Sequence, residues 1–298
     1  MINYELMAER VFDLTQFNGK IAVILGSGLG GFSNNLKNQC TIPYNDIPGY
    51  PLSTVEGHEG ELVLGTLDKQ ELLIAKGRFH YYEGYSFQEI TIPIHLFSKL
   101  GIDHLIITNS SGSMNKSFLP GSLMVVKGHM DCTYRHSPNR PKLFSGLPYH
   151  DPQLIDLALA SGKEMGIKLE LGNYCWTLGP SYETPAEIID MKNLGGDAVG
   201  MSTVPEIISA AELNMRVLTI SCLTNYAAGI TKKSLSHKEV VETAEKSSRE
   251  FSRSSIKLAP PLDSVRRVVA ANSIPCLFQA VCSDRPILLS PPTISLII

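Results

Sequence analysis

Short apolar runs alternate with amphipathic stretches along this chain, and that alternation restricts its fold more than any other feature. Residues 21–25 form a buried-strand pattern that empties into the turn Gly26-Ser27-Gly28-Leu29-Gly30-Gly31. Residues 61–67 and 71–75 flank the polar turn Asp68-Lys69-Gln70, which predicts a hairpin. One helix is expected over 86–100, then a buried strand over 104–108 that runs into Asn109-Ser110-Ser111-Gly112. Further strands are expected at 123–127, 169–177, 197–201 and 216–221, between helices at 151–165, 185–193 and 205–214. Pro185 and Pro205 stand where a first helical turn tolerates proline, and Ser236 with Glu239 forms a capping box for a final helix. This order predicts an α/β fold, a single domain with a mixed β-sheet flanked by helices. The domain is expected to span 1–258. Residues 259–298, rich in proline and serine without a period, read as a C-terminal tail of no definable structure.

Charge and cysteine usage remove several function classes. The formal net charge of -3 offers no basic face for a phosphate backbone, so no nucleic-acid partner is expected. The six cysteines, Cys40, Cys132, Cys175, Cys222, Cys276 and Cys282, have neither disulfide-framework nor metal-ligand spacing, and no metal or cofactor is expected. No apolar run approaches membrane-spanning length and the first twenty residues lack a signal core, so a cytoplasmic protein without a membrane partner is expected.

Gly26-x-Gly28-x-x-Gly31 matches the dinucleotide-binding fingerprint letter for letter. That fingerprint also requires a second central strand ending in an acid. The segment 40–48 carries Pro43 and Pro48 instead, which suits no central strand. What survives is a more general property. Successive backbone N–H groups at a helix start, joined by the Ser27 hydroxyl, make a cradle for an anion.

Several blocks together resemble the trimeric, 6-oxopurine-preferring purine nucleoside phosphorylases. They are the glycine turn, Gly57-His58-Glu59-Gly60, the run from Gly77 to Tyr85, and Thr108-Asn109-Ser110-Ser111-Gly112. They continue with Gly179-Pro180-Ser181-Tyr182-Glu183-Thr184, the run from Asp197 to Glu206, and Thr224-Asn225. The resemblance implies phosphate-dependent cleavage of a purine nucleoside, with phosphate as co-substrate, in a homotrimer. Such a reaction needs fixed donors for phosphate, a clamp on the ribose and a hydrogen-bond partner for the departing base. Arg78 offers a permanent charge with fork geometry, and His80 projects to the same side if the run is extended. Ser27, His58, Ser202 and the Ser110 backbone N–H complete the implied phosphate cradle. Glu183 and Asn225 are the implied base readers, with Tyr182 stacked on the base and Val199 beside it. Tyr82, Met201 and His237 would hold the ribose, and a neighbouring subunit would lend an aromatic residue, assigned to Phe144. Two serines, Ser110 and Ser111, stand where the family commonly has alanines, and the 259–298 tail has no family counterpart.

Other readings stay open at this point. A nucleoside hydrolase or a methylthioadenosine-type phosphorylase could use the same scaffold, and a purine-binding protein without activity could share the fold. Asn225 argues against the adenine-specific form, where an Asp would fit better.

Overall fold

The protein is described by a computed structural model covering residues 2–27, 29–54, 58–67, 70–135 and 139–231. Ten strands form one sheet: β1 (Ile21–Leu25), β2 (Lys37–Pro43), β3 (Glu61–Leu67), β4 (Gln70–Lys76), β5 (His104–Ser113), β6 (Leu123–Asp131), β7 (Phe144–Ser145), β8 (Leu169–Trp176), β9 (Ala198–Gly200) and β10 (Arg216–Tyr226). The helices are α1 (Tyr4–Leu14), α2 (Phe87–Ile90), α3 (Ile92–Lys99), α4 (Pro152–Glu164), α5 (Pro185–Asn193) and α6 (Val204–Glu212). The mixed α/β architecture expected from the alternation is present.

β1 is buried throughout and lies between β4 and β5, parallel to both. Its alternate residues feed two cores. Ala22 and Ile24 pack with Met7, Phe97 and Ile207 beneath α1, α3 and α6, whereas Val23 packs with Leu154 and Ala158 of α4 on the other face. Burial on both faces is why the strand reads as a continuous apolar run. The hairpin β3–β4 is antiparallel, and β2 adds to β3 as the outer strand, where Pro43 ends the pairing. Beyond β5 the sheet closes on itself. β5 pairs with β10, β10 with β6, β6 with β8, β8 with β9, and β9 returns antiparallel to β5 at Gly112 and Ser113. The carboxyl ends of β1, β4, β5, β9 and β10 therefore converge.

Three local expectations are corrected. The helix expected over 86–100 is two helices, broken at Thr91, because Pro93 cannot donate to the helical ladder. Strand β5 runs past Thr108 to Ser113, since pairing with β10 carries the polar serines into the sheet. The glycine turn opens only a six-residue 3₁₀ helix, Gly30–Asn35, so no long helix dipole stands behind Ser27. Gly26 is needed there for space. A Cβ at this position would stand 2.7 Å from the Asn109 Cα where the ends of β1 and β5 meet. The helix expected from Ser236 and the 259–298 tail lie outside the described residues.

Candidate active site

The converging strand ends line one pocket. Ser27 follows β1, Arg78 and His80 follow β4, Ser110 lies within the last stretch of β5, and Ser202 follows β9. Arg78 is 2% exposed. Its Nε donates to Glu206 Oε1 at 3.2 Å, and its Nη1 donates to the Thr108 carbonyl at 2.6 Å and to Ser202 Oγ at 3.4 Å. Nη2 is buried without a partner, as is Glu206 Oε2. A buried, unsatisfied guanidinium N–H is costly unless a ligand completes it, which suits an oxyanion. The Ser202 hydroxyl lies 3.1 Å from Thr203 Oγ1. Thr203 has a φ of +82°, outside the regions a β-branched residue favours, and its Oγ1 accepts from Asn109 Nδ2 at 3.0 Å.

Two histidines of the pocket face each other. The His58 and His80 rings stack with centroids 5.4 Å apart, and His80 stacks in turn on Tyr82 at 4.7 Å. His58 Nδ1 lies 3.1 Å from the Arg78 carbonyl and 3.3 Å from the Arg78 N–H, and Nε2 lies 3.2 Å from the Ser27 hydroxyl. Burial first, then His80 and Arg78, bring the His58 pKa down to about 4, so the ring is neutral at neutral pH. His80 Nδ1 donates to Glu83 Oε1 at 2.9 Å, leaving Nε2 for the pocket. Burial raises the Glu83 pKa, but bonds from His80 and Thr54 outweigh it and bring the pKa to about 2.

The same pocket carries a carboxylate and an amide. Glu183 lies on the loop between β8 and α5, just before the Thr184 capping box, and its Oε1 accepts from Thr177 Oγ1 at 2.6 Å. Asn225, near the end of β10, accepts at Oδ1 from Thr224 Oγ1 at 2.8 Å and donates from Nδ2 to the Tyr226 carbonyl at 2.9 Å. The Tyr226 carbonyl can only accept, which fixes Nδ2 as the donor side. Gly112 lets the amide approach β5, because a Cβ there would stand 3.3 Å from Nδ2. Tyr182, Val199, Met201 and Tyr82 supply the less polar walls. Burial raises the Tyr82 pKa to about 12, so its hydroxyl stays protonated.

Twelve of the residues singled out in the sequence therefore share one pocket. Phe144 does not. It is 41% exposed on β7, stacked on His129 with centroids 5.6 Å apart. His237 lies outside the described residues. The sequence reading missed Glu83, Glu206, Thr177 and Thr224 as supporting or lining groups, whereas Ser111, noted beside Ser110, does line the pocket. Glu83 had a visible signal, since it stands three residues after His80 in the capping-box position. The Ser110 hydroxyl is tied to the Ser27 carbonyl at 2.9 Å, whereas Ser111 Oγ is buried without a partner.

Residues 20–258 match the family model described as the phosphorylase superfamily. Purine nucleoside phosphorylase 1 of Geobacillus stearothermophilus is 45% identical over 241 residues, 78% of this chain and 88% of that relative. A Schistosoma purine nucleoside phosphorylase in complex with hypoxanthine superposes with a TM-score of 0.77 at 30% identity, covering 95% of this chain and 97% of the other. The Schistosoma mansoni enzyme in complex with adenosine gives a TM-score of 0.75 at 32% identity, covering 87% and 98%. A match over most of the chain, joined to a pocket that brings a buried arginine together with a carboxylate and an amide, leads to one assignment: the chain belongs to the phosphorylase superfamily and, within it, to the purine nucleoside phosphorylases, which are pentosyltransferases.

Proposed function

We propose that this protein cleaves the N-glycosidic bond of 6-oxopurine ribo- and deoxyribonucleosides with inorganic phosphate, releasing the base and (deoxy)ribose 1-phosphate for purine salvage. It would act in the cytoplasm as a homotrimer, without metal or cofactor. The observation that carries the reading is the pocket's lining, which brings the buried Arg78, whose Nη2 has no partner, together with Glu183 and Asn225.

Phosphate would take its bonds from Arg78, Ser27, His58, His80, Ser202 and the Ser110 backbone N–H. Its oxygen attacks the anomeric carbon as the bond to the purine nitrogen breaks, and the electron pair leaves with the base. Glu183 accepts from the ring N1–H, and Asn225 Nδ2 donates to N7 as negative charge builds there. Tyr182 and Val199 pack on the base. Tyr82, Met201 and His237 hold the ribose, with Phe144 contributed by a neighbouring subunit. A steady-state screen of inosine, guanosine and adenosine with phosphate tests this reading. Cleavage of the 6-oxopurine nucleosides with ribose 1-phosphate as product is expected, and no turnover of any purine nucleoside would overturn it.

A further inference from the structure

Thr177 sits behind the pocket. It follows β8 directly, and its backbone N–H donates to the Gly200 carbonyl at 2.9 Å, which ties it to the end of β9. Its side chain lines a second cavity of about 640 Å³ on the other side of Glu183, and it is absent from the lining of the first. Tyr182 and Glu183 form the wall between the two cavities. Among the described residues, the Thr177 hydroxyl is the one group that hydrogen-bonds the Glu183 carboxylate. At 2.6 Å it is a short, charge-assisted bond. The Gly200 carbonyl, at 3.4 Å from the same hydroxyl, is the poorer acceptor for its single proton.

Glu183 lies on an eight-residue connection, 177–184, where a long acidic side chain has several rotamers open to it. The hydroxyl removes that freedom by fixing one carboxylate oxygen to a residue anchored on the sheet, which leaves the other for a ring N–H. We infer that Thr177 is a positioning residue for base selection: it holds the Glu183 carboxylate in the orientation that accepts from a 6-oxopurine N1–H. The inference rests on Glu183 being the base reader.

The test is a double-mutant cycle on the full chain, with Thr177→Val, Thr177→Ser, Glu183→Gln and the double variant Thr177→Val/Glu183→Gln. Valine keeps the shape and favours a strand end, so it removes the donor alone. Thr177→Val should lower kcat/KM for inosine roughly ten- to hundredfold, the range for losing a hydrogen bond to a charged group. KM for phosphate should stay within about twofold, and inosine should lose more than adenosine. Thr177→Ser should restore inosine activity. In the Glu183→Gln background, Thr177→Val should change little, because the bond it breaks has already lost its charge. Equal losses in both backgrounds would mark a merely structural role and overturn the inference, as would a Thr177→Val enzyme within twofold of the parent. Glu183→Gln reports on the underlying reading by itself, since an unchanged preference for inosine there removes Glu183 as base reader. If Thr177→Val does not fold, Thr177→Ala in the same cycle carries the test.

Discussion

Arg78 and Glu206 form an ion pair 3.2 Å long, with both side chains only 3% exposed. The pair couples the candidate phosphate site to the core under α6. Removing one member leaves the other charge buried and alone, at a cost of roughly 3–5 kcal/mol. Arg78→Ala should therefore lower stability, seen by thermal unfolding. Its kinetic effect should fall on phosphate: roughly 2–4 kcal/mol lost from kcat/KM for phosphate, with KM for the nucleoside little changed. An Arg78→Ala enzyme that keeps its apparent phosphate affinity contradicts the assignment.

Acid should destabilise the protein through its buried histidines. Burial lowers the pKa of His58 and His129 to about 4, and burial with the neighbouring His129 lowers that of His150 to about 3, each from 6.5. His129 Nδ1 and His150 Nε2 share a hydrogen bond at 2.9 Å, with both rings almost fully buried. As pH falls through 6.5 the unfolded chain takes up protons while the folded rings stay neutral, so stability should be steady above about 6.5 and fall toward about 4. Urea unfolding at about pH 7 and about pH 5 measures this, and His129→Gln should give a shallower slope. A stability independent of pH across that range contradicts it.

The strand pattern was open to reading because buried runs such as Ile21–Leu25 carry their own signature, and Gly26 marks where the strand must stop. The break at Thr91 was also written in Pro93, although the helical spacing on either side masks it. Closure of the sheet was not legible. It depends on Gly112 meeting Val199 far along the chain, and local propensity is silent on such contacts. The same limit explains the site. Motif blocks locate Arg78, Glu183 and Asn225, but Glu206 reaches Arg78 across 128 residues and Thr177 reaches Glu183 only because the loop folds back.

Assembly offers a separate check. Phe144 stands exposed beside Leu143 and Leu147 on the β7 segment, while Tyr149 packs edge-on against it. An exposed apolar group of this kind fits a contact between subunits. Analytical ultracentrifugation should give a trimer, and Phe144→Ala should weaken nucleoside binding without changing that state. A fully active monomer would contradict the shared site.

Base selection follows from donor and acceptor bookkeeping. A carboxylate at Glu183 only accepts, so it matches the N1–H of inosine and guanosine and opposes the lone pair of adenosine. Discrimination of roughly 10⁴-fold or more in kcat/KM against adenosine is expected for a site built on a substrate N–H. Asn225→Asp should narrow the gap, because an acid can accept from the 6-amino group. Similar kcat/KM values for inosine and adenosine in the parent enzyme would contradict the 6-oxopurine preference and leave phosphorolysis standing.

Phosphate dependence itself decides the account. Inosine cleavage should be measured with the protein freed of phosphate, then across a phosphate titration, following hypoxanthine release and the sugar product together. Because Arg78 Nη2 is buried with no partner of its own, the site is expected to lack turnover until an oxyanion completes it. Hypoxanthine release should saturate with phosphate and match ribose 1-phosphate one for one. Release at the same rate without phosphate, with free ribose as product, would show a hydrolase and contradict the account at its centre.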